Sequence, residues 1–197
     1  MFCSLAVLAE LAAASWHCLQ EALTPDFANV AYGRTSRSQH LDIYVPQGPG
    51  SFPVVLFAHG GGFALGDKRS ICSALRNYVD ALNAAGIALV SIDYRLSGET
   101  KFPATRDAKS ALRFVRANAE KYRIDPARNT LWGQSPGANI ALAAGMRPGF
   151  ALFNDPAAIA PGADDHVSAI VSMYGPTDFL SMDAQSGGYL RPLGTKL

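Results

Sequence analysis

Apolar and polar residues alternate in "HLDIYVP", where Leu41, Ile43 and Val45 share one face. This period of two predicts a half-buried strand, closed by Pro46. After the turn signal "QGPGS", the stretch "FPVVLFAHGGG" carries an unbroken apolar run from Val54 to Ala58 and ends in three glycines. A strand apolar on both faces suits a parallel sheet covered on both sides. The period then changes. Ile71, Leu75, Tyr78, Val79 and Leu82 recur at helical spacing and predict a helix over 70–85, with Gly86 as its C-cap. "IALVSIDY" at 87–94 reads as the next buried strand. Residues 104–122 predict a long helix. Ala108, Ala111, Leu112, Val115, Ala119 and Tyr122 line its core side, and Lys109, Arg113, Arg116 and Glu120 its solvent side. "DPARNTLWG" turns into a strand near 129–133, residues 136–146 form a helix of small residues, and "HVSAIVSMYG" at 166–175 gives one more strand.

Strands and helices therefore alternate from residue 53 onward. This predicts an α/β fold, with a mostly parallel sheet and helices on both faces. The ligand site of such a sheet lies beyond the carboxyl ends of its strands. With no internal repeat, low-complexity tract or linker, residues 1–197 are expected to form one domain. At the N-terminus, Phe2, Leu5, Ala9, Ala12, Trp16, Leu19 and Leu23 fall at helical spacing, so residues 1–24 predict an amphipathic helix packed on the domain. The alternative is a signal segment ending near "AAAS". It lacks a positively charged start, and Glu10 interrupts its apolar run. The first alternative leans toward the cytoplasm, the second toward secretion. The stretch is too short and too interrupted for a membrane span.

Composition narrows the functional classes. The chain is 49% hydrophobic and 17% charged, which suits a packed core and excludes disorder. Its net charge is +1 with no basic stripe, so nucleic acid is not an expected partner. Cys3, Cys18 and Cys72 form no CxxC pair, and His17, His40, His59 and His166 show no metal-ligand spacing. No metal and no cofactor is expected. Two glycine-rich stretches remain, both at predicted strand ends. "HGGGF", His59 to Phe63, lets the backbone turn sharply and present N–H groups that could stabilise an oxyanion. "GQSPG", Gly133 to Gly137, is a Gly-x-Ser-x-Gly pattern. A strand-to-helix turn there would expose the hydroxyl of Ser135, while Gly133 and Gly137 relieve crowding beside Gln134 and Pro136.

With these two motifs in this order, the sequence resembles the α/β-hydrolase superfamily. It is similar to the esterase group that carries HGGG, related to hormone-sensitive lipase and to bacterial acetyl and feruloyl esterases. The resemblance runs over about residues 25 to 180. It is carried by "HLDIYVP", "FPVVLFAHGGGFALGDK", "SIDYRLSGETKFPA", "RIDPARNTLWGQSPGANIAL" and "YGPTDF". It implies hydrolysis of a small, uncharged ester through an acyl-enzyme on Ser135. Gly61 and Gly62 would supply oxyanion N–H groups, Gly60 would shape the turn, and His59 would be structural.

Two features depart from that family's pattern. Pro136 stands where alanine is usual, so the residue after the serine has no N–H to give. One lost oxyanion donor costs on the order of 10²–10³ in kcat. A proline also pushes the preceding residue toward extended backbone, against the strained turn a nucleophile elbow needs, although it suits the first position of a helix. The second departure is the triad order of serine, acid, histidine. His166 is the sole histidine after Ser135, and it opens the last predicted strand, at the edge away from the site. It reads as a surface residue. Of the acids after the serine, Asp155, Asp164, Asp165, Asp178 and Asp183, only Asp178 follows a strand end on the correct side, in a segment that is a loop in the family. The chain thus resembles the first two-thirds of an esterase. Two expectations follow: an esterase by lineage, or a catalytically impaired fragment or binding protein. The sheet edge left bare would favour self-association or a covering partner.

Overall fold

The computed structural model of the chain describes residues 23–69, 72–99 and 104–185. The helix or signal segment expected at 1–24 lies almost wholly outside the described residues.

The elements in chain order are β1 (Phe27–Ala31), β2 (His40–Tyr44), β3 (Phe52–Ala58), α1 (Cys72–Ala84), β4 (Ala88–Ile92), α2 (Ala104–Ala117), β5 (Ile124–Gln134), α3 (Pro136–Gly145), a 3-10 turn (Ala151–Phe153), β6 (Ala169–Met173) and α4 (Phe179–Gln185). The sheet runs β1-β2-β4-β3-β5-β6. β3 pairs in parallel with both β4 and β5, and β5 with β6, while β1 and β2 join antiparallel. The α/β-hydrolase architecture expected from the sequence is present, with β1, α4 and the 3-10 turn as elements the hydrophobic pattern did not announce.

The unbroken apolar runs have a direct cause. Val54, Leu56 and Ala58 of β3, with Ala88, Val90 and Ile92 of β4, pack against Ala108, Ala111, Leu112 and Val115 of α2 and Ile140, Ala141 and Ala144 of α3. Phe57 and Leu89 point the other way, to Val79 of α1. Both faces of these strands are buried, and the one polar side chain in them, Ser91 of β4, is buried as well and donates to the Lys68 carbonyl. The same layer corrects the reading of β2 as half-buried. Leu41 and Ile43 face the larger core as expected, but Asp42 and Tyr44 on the opposite face are buried too. β2 sits between β1 and β4, not at the edge, and the loop after β3 covers its second face at Asp42 through Lys68.

α2 holds a second correction. Its core stripe is buried as predicted, and Gly86 closes α1 with its N–H on the Asn83 carbonyl at 3.0 Å. But Lys109 and Arg113, read as solvent-facing, are buried. Asp165 reaches both, at 2.9 Å from Lys109 Nζ and 2.5 Å from an Arg113 nitrogen. The segment between α3 and β6 lies along this side of α2 and supplies the carboxylate. Glu120 stays exposed, beyond the helix end at Ala117.

β6 is the outer strand of the described sheet. It pairs only with β5 among the described strands, and Val171 is exposed on it.

Candidate active site

Because β3, β4, β5 and β6 are parallel, their carboxyl ends gather four loops at one side of the sheet. The turn after β5 holds Ser135 at φ 54° and ψ −121°, between Gln134 and the first residue of α3. Left-handed φ on a non-glycine residue is strained, at about 1–3 kcal/mol, and persists only where neighbours over-determine it. Here they do. The Ser135 N–H donates to the Met173 carbonyl at 2.9 Å, and the Ser135 carbonyl accepts from the N–H groups of Ala138 and Asn139 at 3.0 and 3.3 Å. The expectation that Pro136 would drive Ser135 to extended backbone is therefore corrected. Pairing with β6 and the first turn of α3 fix the serine, and Pro136 sits at the helix start, where its ring fits.

The flanking glycines are required by space. A Cβ on Gly133 would lie 2.0 Å from the Gly137 carbonyl oxygen, and one on Gly137 would lie 2.1 Å from the Ala58 carbonyl oxygen. α3 therefore starts in direct contact with the ends of β3 and β5.

The glycine loop after β3 lies against this turn. A Cβ on Gly60 would come within 3.7 Å of the Ser135 Cβ. Gly61, at φ +124°, has its carbonyl bonded by the N–H groups of Ala64 and Leu65 at 3.1 and 2.9 Å. The N–H groups of Gly61 and Gly62 donate to no described residue. A cavity of about 270 Å³ opens between loop and elbow, lined by Gly60, Gly61, Leu65, Gly66, Gln134, Ser135 and Tyr174. No lining side chain is charged, and Gly62 lies outside the wall. Leu65, Gly66 and Tyr174 are the members that the sequence did not single out, and Leu65 and Tyr174 are the two with large side chains. Both are apolar and strongly exposed, at 72% and 70%. A lone apolar residue in a loop carries no periodic signal, so only proximity to Ser135 marks them.

His59 is buried beneath the loop. Its ring stacks on Tyr94 at 4.3 Å, and its Nδ1 lies 2.6 Å from the Gly60 carbonyl oxygen. Burial lowers its pKa below the ordinary histidine value, against the opposing pull of the Gly60 carbonyl. His166 is 74% exposed and pairs with Asp164 at 2.7 Å. It precedes the start of β6, about 23 Å of strand length from Met173, which is level with Gln134. Asp178 is exposed and caps α4, accepting the N–H groups of Leu180 and Ser181 at 3.1 and 3.3 Å. Asp155 binds Arg95 at 2.7 Å. Among the described residues, no histidine or carboxylate hydrogen-bonds the Ser135 hydroxyl. Nor does any cluster of three or more His, Cys, Asp or Glu suited to a metal occur among them. No described helix is long and apolar enough to cross a membrane.

Comparison with known proteins bears on the family and the fold. The family model BD-FAE matches residues 41–192. The chain is 31% identical over 172 residues to the probable carboxylic ester hydrolase LipM of Mycobacterium tuberculosis (strain ATCC 25618 / H37Rv), covering 84% of this chain and 38% of that protein. Among solved structures, a truncated form of a carbohydrate esterase from gut microbiota superposes with a TM-score of 0.70 at 29% identity, covering 81% of this chain and 59% of that one. A bifunctional GH43-CE protein of Bacteroides eggerthii superposes with a TM-score of 0.70 at 31% identity, covering 80% of this chain and 22% of that one. The chain thus spans well under half the length of the curated relative.

Proposed function

The chain belongs to the BD-FAE family, and from that membership we propose that it hydrolyses carboxylic esters with Ser135 as the nucleophile. The observation that carries this reading is Ser135 in a strained left-handed turn, against a glycine loop whose Gly61 and Gly62 N–H groups have no partner among the described residues. The strain is spent on aiming one hydroxyl into an uncharged cavity. In this reading Ser135 Oγ attacks the ester carbonyl carbon. The carbonyl oxygen becomes an oxyanion that takes hydrogen bonds from Gly61 and Gly62. The carbon–oxygen bond to the alcohol breaks, the alcohol leaves with a proton, and water then releases the acid from the acyl-enzyme. The neutral wall suits an uncharged ester of modest size, Leu65 and Tyr174 offering the apolar contacts.

A second reading has its own support. Pro136 lacks the N–H that such a site usually contributes, and no described base touches Ser135 to take its proton. A serine without a positioned base is weak at its own pKa. This favours an impaired hydrolase or a protein that retains the cavity for binding. Release of p-nitrophenol from p-nitrophenyl acetate by the wild type and by Ser135→Ala separates the two. A fall of tenfold or more in Ser135→Ala supports the nucleophile, and equal rates sink it.

A further inference from the structure

The loop from His59 to Arg69 holds four glycines, and residues 61, 62, 64, 65 and 66 are all exposed. Phe63 packs on the core from the middle of the loop, but the residues around it offer little apolar surface, while each ordered residue costs about 1–2 kcal/mol of backbone entropy. Polar anchors hold the rest. One is at the start of the loop: the Tyr94 hydroxyl donates to the His59 carbonyl at 2.8 Å, beneath the stacked rings. A second is in the middle, where the Ser97 N–H donates to the Phe63 carbonyl at 2.8 Å. The third, at the far end, uses every polar group of Lys68. Its N–H donates to Asp93 Oδ1 at 2.6 Å, and its carbonyl accepts from Ser91 Oγ at 2.8 Å. Its ammonium is 7% exposed and donates to Asn29 Oδ1 at 2.9 Å and to Asp93 Oδ2 at 3.2 Å, with Asp42 Oδ2 at 3.9 Å.

Asp93 therefore receives both the main-chain N–H and the side-chain ammonium of one residue. Asp93 and Tyr94 are consecutive, so the end of β4 grips the loop at both of its ends. The ammonium also lies between the carboxylates of buried Asp42 and half-buried Asp93, a cation shared by two acidic side chains. We propose that Lys68 is a positioning residue of the site: its buried ammonium orients the Asp93 carboxylate that holds the loop, and so keeps the Gly60–Gly62 backbone against Ser135. This rests on reading that loop as the oxyanion donor of an ester hydrolase.

Two measurements on the whole chain test it. The first is amide hydrogen exchange in Lys68→Met, reading Ala64 and Leu65 as loop reporters and Leu56 and Val90 as sheet reporters. The expected result is exchange at least tenfold faster at Ala64 and Leu65, with Leu56 and Val90 within twofold of wild type. Loop amides that change less than threefold overturn the proposal, as does equal acceleration at all four. If Lys68→Met does not fold, Lys68→Met/Asp93→Asn returns the formal charge of the cluster to its wild-type value while leaving an oxygen to accept the loop N–H. The same expectation and the same refuting results apply to it. The second measurement is p-nitrophenyl acetate hydrolysis. A positioning role lowers kcat at least tenfold with KM within twofold, and a raised KM at unchanged kcat overturns it. A wild-type rate that ignores Ser135→Ala sinks the functional reading alone, and the exchange experiment still decides the tether.

Discussion

Asp165→Ala removes one carboxylate and strands two buried cations. The Lys109 side chain is fully buried, and those of Arg113 and Asp165 are 6% and 3% exposed. Asp165 Oδ2 accepts from both cations, and Oδ1 accepts from the Gly149 N–H at 2.8 Å. After the change Lys109 retains the Arg147 carbonyl at 2.8 Å, whereas Arg113, whose Nε already has no partner, loses its ion pair. Breaking a buried pair on one side costs about 3–5 kcal/mol, because the remaining charge is left desolvated. For a chain of this length each kcal/mol shifts Tm by about 2–4 °C, so the expected fall is about 6–20 °C. Circular dichroism melts of wild type, Asp165→Ala and the control Asp164→Ala measure it. Asp164 is half exposed and binds Arg116 at 2.6 Å at the surface, a contact worth about 1 kcal/mol or less. If both variants melt within about 3 °C of each other, the buried network does not carry the stability assigned to it. The pH dependence gives a second check. Burial by itself would raise the Asp165 pKa, but the Lys109 and Gly149 hydrogen bonds and the two cationic charges outweigh it and hold the pKa below the ordinary carboxylate value. A depressed folded-state pKa contributes stability above the unfolded value of about 3.9 and loses it as pH falls through the folded value. The gap between wild type and Asp165→Asn should therefore be constant near neutrality and shrink below about pH 4. A gap that widens on acidification contradicts the assignment.

Other outcomes follow from the same distances. Gly137→Ala places a Cβ 2.1 Å from the Ala58 carbonyl oxygen, so α3 must lift off β3; a loss of at least about 2 kcal/mol is expected in urea unfolding, and a change under about 0.5 kcal/mol contradicts the close approach. Where Ser135 turns over ester, Pro136→Ala restores an N–H and should raise kcat at least tenfold; an unchanged kcat means another group supplies that donor. His166→Ala should leave Ser135-dependent hydrolysis within twofold, since the ring is exposed beyond the far end of β6, and a tenfold loss would place it in the reaction after all.

The linear order of residues by itself determined where the sheet would be buried on both sides. β3 is apolar without alternation and β4 nearly so, Ser91 excepted, and such runs suit strands covered by two layers. It also determined the place of the elbow, because Gly133 and Gly137 bracket a serine at the junction of a strand and a helix of small residues; the need for glycine at 133 is local, set by the Gly137 carbonyl, whereas at 137 it is set by the Ala58 carbonyl of β3. The position of His166 could be read as well, since a residue opening a parallel strand lies at the end opposite the site. Periodicity failed where a polar residue's burial depends on a partner distant in sequence. Lys109 and Arg113 fall on the polar side of α2, and nothing within a helical turn of them indicates that Asp165 will arrive from a later segment. Lys68 and Asp42 were unreadable for the same reason: a buried charge needs a partner, and the partner is chosen by the packing of the chain. The conformation of Ser135 was likewise decided in three dimensions. The local preference set by Pro136 favours extended backbone, but the hydrogen bond to Met173 on β6 and the start of α3 hold the serine at positive φ. Hydrophobic burial is non-directional and leaves its mark along the chain, whereas ion pairs and strained turns are directional and are settled only when distant segments meet.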